Sequence, residues 1–225
     1  MKKLNKNFKK YDLKIEGVRL PSFDIDPEEK NKVGVPQDCD NLTFLTALCH
    51  RGLEGMSSSL NAKQLDVYKE RLKYELKTLK ELSFIDYILM VWDVINFCNK
   101  NNYATGLGRG SAAGSLVLYL TGVTKIDPIS NGLIFERFVS KTRAKKKIVN
   151  GITYLDGALM CDVDLDICYY KRQQVLKYLQ EEYEGKTSKI ATLTCLTGKL
   201  VMKECIKIVG GKDEAEATRV TGMIP

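Results

Sequence analysis

Histidine is almost missing: His50 stands alone in 225 residues. Cysteine occurs seven times, an odd number, and never as a C-x-x-C pair. These shortages exclude a zinc ribbon or finger and point to reduced thiols in a cytosol. A Ser-His-Asp constellation is excluded too, because His50 lies in a bland helical stretch and reads as a helix-surface residue. Long apolar runs are also lacking. The richest, Tyr87 to Trp92, is bounded by Asp86 and Asp93 and is too short to span a bilayer. The first ten residues carry five lysines with no apolar core after them, which is not a secretory signal, so a soluble protein is expected. No G-K-[ST] closes a glycine-rich loop, so there is no Walker A motif.

What is present is a globular composition, 44% hydrophobic and 28% charged, long enough for one domain or one plus an extension. Lys and Arg number 35 against 28 Asp and Glu, a net charge of +7 that suits a phosphate-bearing partner without naming one.

Residues 1–40 read as a basic tail followed by an irregular arm punctuated by Pro21, Pro27 and Pro36. Leu42, Leu45, Leu48 and Leu53 then recur at helical spacing, with Asp40 or Asn41 as cap and Gly52 and Gly55 as terminators. A long amphipathic helix follows from Asn61 to about Leu82, its apolar side formed by Leu65, Tyr68, Leu72, Leu76 and Leu79. Its lysines and glutamates are expected to face water. Ile85 to Asn99 reads as a more buried helix whose Trp92 is packing rather than a base-stacking platform. Beyond residue 105, strands and helices interleave. Leu133 to Phe138 reads as a short helix presenting Arg137, and Ile148 to Tyr154 with Asn150-Gly151 as a hairpin. Lys171 to Glu184 is a helix, Ser188 to Thr194 a strand, and Gly198 to Val209 and Asp213 to Thr221 are helices. The expected fold class is therefore α+β, with a mixed sheet behind helices.

Two stretches carry chemistry. Cys161-Asp162-Val163-Asp164-Leu165-Asp166-Ile167-Cys168 puts a carboxylate on every second residue. In an extended chain Asp162, Asp164 and Asp166 share one face, and Val163, Leu165 and Ile167 the other. Such a face is either the polar side of an ordinary half-buried strand or a seat for divalent cations, for which magnesium suits an all-oxygen set. Gly106-Leu107-Gly108-Arg109-Gly110-Ser111-Ala112-Ala113-Gly114-Ser115 is the second. Glycines allow a sharp turn, the helix after it offers free N–H groups, Arg109 adds a cation, and Ser111 and Ser115 add hydroxyls. Phosphate binding and tight helix packing both fit that composition.

The ordered set of Gly108 to Ser115, Leu133 to Phe138 and Asp162 to Asp166 resembles the palm region of bacterial replicative DNA polymerase III alpha subunits, the C-family polymerases. The likeness extends over most of residues 41–225. It implies a mixed β-sheet palm of the polymerase beta-like nucleotidyltransferase type, with residues 41–105 as a helical segment packed on it and 106–225 as a partial palm. It also implies that Asp164 and Asp166, helped by Asp162, bind two magnesium ions. Arg109, Gly110, Ser111, Ser115 and Arg137 would then hold a deoxynucleoside triphosphate. DNA primer-template would be the partner, and the cytoplasm of a bacterial or phage-infected cell the location. The basic residues Lys145, Lys146 and Lys147 are candidates for nucleic-acid contact. The chain departs from the pattern in having Cys161 where a proline usually precedes the aspartates, and a basic insertion from about Thr142 to Leu159. The third palm carboxylate and the fingers are expected beyond Pro225. The chain thus reads as part of a split or truncated DNA-directed DNA polymerase that needs a second chain. A non-catalytic palm-derived binding protein is the alternative, and a small nucleotidyltransferase using Asp156 or Glu136 as third ligand a further one.

Overall fold

The computed structural model describes residues 22–140, 146–149, 152–155, 161–188 and 196–223. They fall in two units, Met1–Glu182 and Tyr183–Pro225.

In the first unit the chain opens with α1 (Pro27–Val33), inside what reads as an irregular arm. Proline at the first helical position, the Asp26 side chain accepting from the Glu28 N–H, and Gly34 in the left-handed conformation start and stop it. The spacing of Asp26-Pro27 and Gly34 was the available signal. Next comes α2 (Asn41–Ser57), capped by Asp40, whose side chain accepts from the Thr43 N–H at 2.8 Å. It does not end at Gly52 or Gly55. A Cβ on Gly52 would lie 2.1 Å from the Leu120 carbonyl oxygen, so that glycine serves close helix approach rather than termination.

The long helix α3 (Ala62–Glu81) starts with a reciprocal Asn61–Gln64 capping box. After it comes α4 (Ile85–Lys100), which buries Ile88, Leu89, Trp92 and Ile95. Trp92 meets Phe44 edge-on at 5.4 Å, a packing contact inside the core. The short helix α5 (Leu116–Leu120) packs on both α2 and α3 and buries Leu116, Val117 and Leu118 completely. Each such side chain contributes about 1.5–3 kcal/mol. Last in this unit, α6 (Arg172–Glu182) lies on α4, where Tyr178 stacks on Phe97 at 3.9 Å and donates to Asp93 Oδ2 at 2.7 Å.

The expected mixed sheet does not form among the described residues. Among the described residues the only paired strands are β1 (Lys146–Val149) and β2 (Ile152–Leu155), an antiparallel hairpin with Val149 opposite Ile152. The turn expected at Asn150-Gly151 lies outside the described residues. The carboxylate stretch joins no sheet. It makes one antiparallel bridge, Thr105 to Ile167, with Gly106 N–H donating to the Asp166 carbonyl at 2.8 Å and Cys168 N–H to the Ala104 carbonyl at 3.0 Å. Gly108 and Gly110, both at positive φ, turn the partner segment away before a ladder can extend. Helices α4 and α6 cover the apolar side in place of neighbouring strands, and the fold is predominantly helical. The strand expected from Ser188 to Thr194 falls almost entirely outside the described residues.

The second unit holds α7 (Gly198–Ile208) and α8 (Glu214–Gly222), capped by Thr197 and Asp213. Glu214 pairs with Lys203 and with Lys207, the latter at 3.1 Å, tying the two helices together.

Candidate functional site

The glycine turn and the carboxylate run meet in the first unit. From Asp162 to Ile167, exposed aspartates alternate with half-buried apolar residues, the pattern expected of an extended chain. Leu165 and Ile167 pack on a cluster of Val94, Cys98 and Val175, with Phe97, Tyr103 and Leu179 around it. Helices α4 and α6 thus hold the apolar face and leave the acidic face outward. Tyr87, from α4, lies beneath the run and makes a backbone hydrogen bond with Val163. Burial, above all, pushes its hydroxyl up to about 12, so it remains a neutral support. Cys161, where the resemblance leads one to expect proline, is a buried thiol pushed up to about 12 by desolvation.

Arg109 faces the run from the turn. Its Nη2 is 3.5 Å from Asp164 Oδ1 and its Nε is 3.6 Å from Asp166 Oδ1. All three side chains are more than half exposed, so these ion pairs are worth only ~0–1 kcal/mol. A weakly held guanidinium leaves both carboxylates accessible to another cation. The fit of the backbone is tighter than that of the charges. A Cβ on Gly106 would come within 2.7 Å of Asp166 Cβ, and one on Gly110 would lie 3.6 Å from Asp164 Oδ2.

The turn has a front and a back. In front, Arg109 and Gly110 are exposed and Ser111 is half-buried. Behind, residues Gly110–Gly114 form a 3-10 turn whose Ala112, Ala113 and Gly114 are buried, and Ser115 caps α5. Glu75 of α3, fully buried, fills the place a phosphate could take at the start of α5. It accepts from Ser115 Oγ at 2.9 Å, Leu116 N–H at 3.0 Å and Val117 N–H at 3.1 Å, while Ser115 Oγ accepts from Leu118 N–H at 3.3 Å. Arg71 donates to Glu75 Oε1 at 2.7 Å and to the Gly114 carbonyl at 3.0 Å. Desolvation raises the Glu75 carboxyl above its ordinary range, against the opposing pull of these donors. Ser115 therefore does not face the front of the turn: it is buried with its hydroxyl committed.

The expectation that every glutamate of α3 faces water fails at Glu75. The apolar stripe Leu65, Tyr68, Leu72, Leu76, Leu79 steps by three, four, four and three, and leaves no gap at position 75. No spacing in the sequence therefore marks Glu75 as a carboxylate turned inward.

Arg137 lies on a 3-10 turn, Phe135–Arg137, that packs against Gly110–Gly114. It is exposed and forms no ion pair among the described residues. Glu136 accepts from the Tyr74 hydroxyl at 2.8 Å. Lys146 and Lys147 belong to β1, whereas Lys145 and Asp156 lie outside the described residues.

As to metal, Asp162, Asp164 and Asp166 are exposed oxygen donors of the hardness magnesium prefers, so the donor type fits. Among the described residues no three His, Cys, Asp or Glu groups converge to hold an ion by themselves. A cation held there would take further ligands from phosphate oxygens, water or protein outside the described residues. No helix among the described residues is long and apolar enough to cross a membrane.

Residues 43–225 match the family model for the bacterial DNA polymerase III alpha NTPase domain. The chain is 34% identical over 192 residues to the DNA polymerase III subunit alpha of Aquifex aeolicus, covering 85% of this chain and 14% of that one. It is 40% identical over 168 residues to the corresponding subunit of Ureaplasma parvum, covering 74% and 16%, and 40% identical over 161 residues to that of Staphylococcus aureus, covering 71% and 14%. It spans a small part of the length of these relatives. With the glycine turn, the Phe135–Arg137 turn and the aspartate run all inside the matched segment, the chain belongs to the bacterial DNA polymerase III alpha family, in its NTPase-domain region.

Proposed function

We propose that this chain supplies part of the nucleotide and metal site of a DNA-directed DNA polymerase, completed by protein that it does not itself contain. The observation that carries this reading is the meeting of Arg109 with Asp164 and Asp166, at 3.5 and 3.6 Å, across 55 and 57 residues of sequence. Asp164 and Asp166 would hold magnesium, with Asp162 adjacent on the same face. Bound there, two magnesium ions would activate a primer 3′-hydroxyl and balance the charge of a deoxynucleoside triphosphate and its leaving pyrophosphate. The work of the chain itself is placement. Arg109 leaves its exposed carboxylate partners for phosphate oxygens, and the Gly110 and Ser111 backbone, which has no side chain from Glu75 against it, offers N–H donors at close approach. Arg137, one packed turn away, is a further cation for the same phosphates. Lys145, Lys146 and Lys147 are the candidates for non-specific contact with a nucleic-acid backbone.

The test is a chimera in which residues 43–225 replace the matching segment of the Ureaplasma parvum relative, assayed by primer extension. Extension should fall at least ~100-fold when Asp164 and Asp166 are both changed to Asn. The same chimera should lose metal-dependent triphosphate binding, measured by calorimetry, on Arg109→Ala. Undiminished extension and binding in these variants would refute the assignment and favour a non-catalytic docking role.

A further inference from the structure

Helices α2 and α3 enclose a groove with a cavity of about 450 Å³ that takes no part in the site above. Its floor is apolar, formed by Leu42, Leu72 and Leu76 with Thr46 beside them. Its rim is Lys69, Lys73, Lys77 and Lys80, with His50 on the opposite wall, and no carboxylate lines it. The four lysines are exposed, and none is ion-paired among the described residues. Between Lys69 and Lys80 they run ~17 Å along one side of α3 at 1.5 Å per residue. A single row of like charges beside leucines is unfavourable when left alone, and a partner of opposite sign relieves it.

We infer that this groove docks an acidic amphipathic helix from another polypeptide, with leucine-like side chains in the Leu42–Leu72–Leu76 floor and carboxylates facing the lysine row. Charge and shape select this occupant together. A helix presents side chains every three or four residues, the interval at which Lys69, Lys73, Lys77 and Lys80 recur, and its apolar stripe fits a groove between two helices. A nucleic-acid backbone matches the lysines but leaves the leucine floor uncovered, since phosphate contact gains nothing from apolar area. The basic segment at the start of this chain has the wrong sign. Only the rim makes the partner acidic; the floor makes it a protein helix.

The full-length chain would be titrated with a fluorescein-labelled synthetic helix carrying leucines at i, i+3, i+4 and i+7 between glutamates. A matching helix with lysines for glutamates and a labelled single-stranded DNA are the comparison probes. The acidic helix should bind, weaken with added salt, and lose about tenfold in affinity with the K73E and K77E double variant and again with Leu76→Arg. The lysine version should not bind. Circular dichroism of the K73E and K77E variant should match the parent, because both side chains point into solvent. Equal affinity for parent and variants overturns the inference. So does DNA binding that competes with the helix and is lost with the same lysines. None of these residues touches Arg109, Asp164 or Asp166, so failure here and failure of the polymerase assignment are separate results.

Discussion

The two halves of the glycine turn differ in what their donors already have. Behind it, at Ser115 to Leu118, Glu75 and the Ser115 hydroxyl satisfy the first amides of α5 inside the core. In front of it, at Arg109 to Ser111, the backbone is open and faces carboxylates through weak, exposed ion pairs. The stretch from Arg109 to Leu118 therefore does two things over ten positions. A helix N-terminus attracts an anion only while its N–H groups lack one, and here a glutamate from α3 has taken that role. The back half anchors the turn to α3, so the front half can be both exposed and fixed.

The largest effect should come from breaking the anchor. Glu75→Ala leaves Ser115 Oγ and two amides in the core without their acceptor and Arg71 without its carboxylate partner, and should cost about 3–5 kcal/mol, read as a shift in urea midpoint. A loss no greater than that of an exposed helix glutamate would erase the contrast between the two halves. By comparison, changing Asp164 and Asp166 together to Asn should leave folding stability within ~0.5 kcal/mol while abolishing extension by the chimera. Gly106→Ala probes the seam between turn and carboxylates. Its new methyl meets Asp166 Cβ, so it should destabilise by ~1–3 kcal/mol and depress extension, without altering the Tyr178–Asp93 contact on α6.

The smallest effect concerns Asp127, in the connection after α5. Burial acts to raise its carboxyl, but donors from Ser130, Tyr68 and Ile129 outweigh it and hold it below the ordinary 3.8. A depressed carboxylate contributes stability above that ordinary value and loses it as pH falls through the folded-state one. Asp127→Asn should therefore cost ~1 kcal/mol at neutral pH, and the gap from the parent should close under acid. Chemical denaturation at several pH values measures it, and a gap that widens on acidification would contradict the assigned direction.

Much of the helical frame was legible. The leucine spacings in α2 and α3, the apolar richness of α4, the cap at Asp40 and the pairing of the two strands of the hairpin are local patterns that the structure follows. The alternation of acidic and apolar residues from Asp162 to Ile167 also survives, because an extended chain on any support presents alternate residues to opposite sides. What failed was inference from alternation to a sheet: extended backbone needs ladder partners, and here helices α4 and α6 cover it instead. Gly52 was misread for a related reason. Glycine ends a helix or lets another chain come close, and only the position of Leu120 decides which. Glu75 was hidden because an inward carboxylate looks like any solvated one until its donors, 40 residues away, are in place.

From its residues alone the chain determined most of its helices and the three motifs that place it in its family, since these depend on neighbours within a few positions. Tertiary structure alone decided that Arg109 stands over Asp164 and Asp166, that Ser115 turns inward to Glu75, and that no mixed sheet forms among the described residues. Those outcomes rest on contacts between segments distant in sequence, where burial and the satisfaction of polar groups select among arrangements that local pattern leaves equally open.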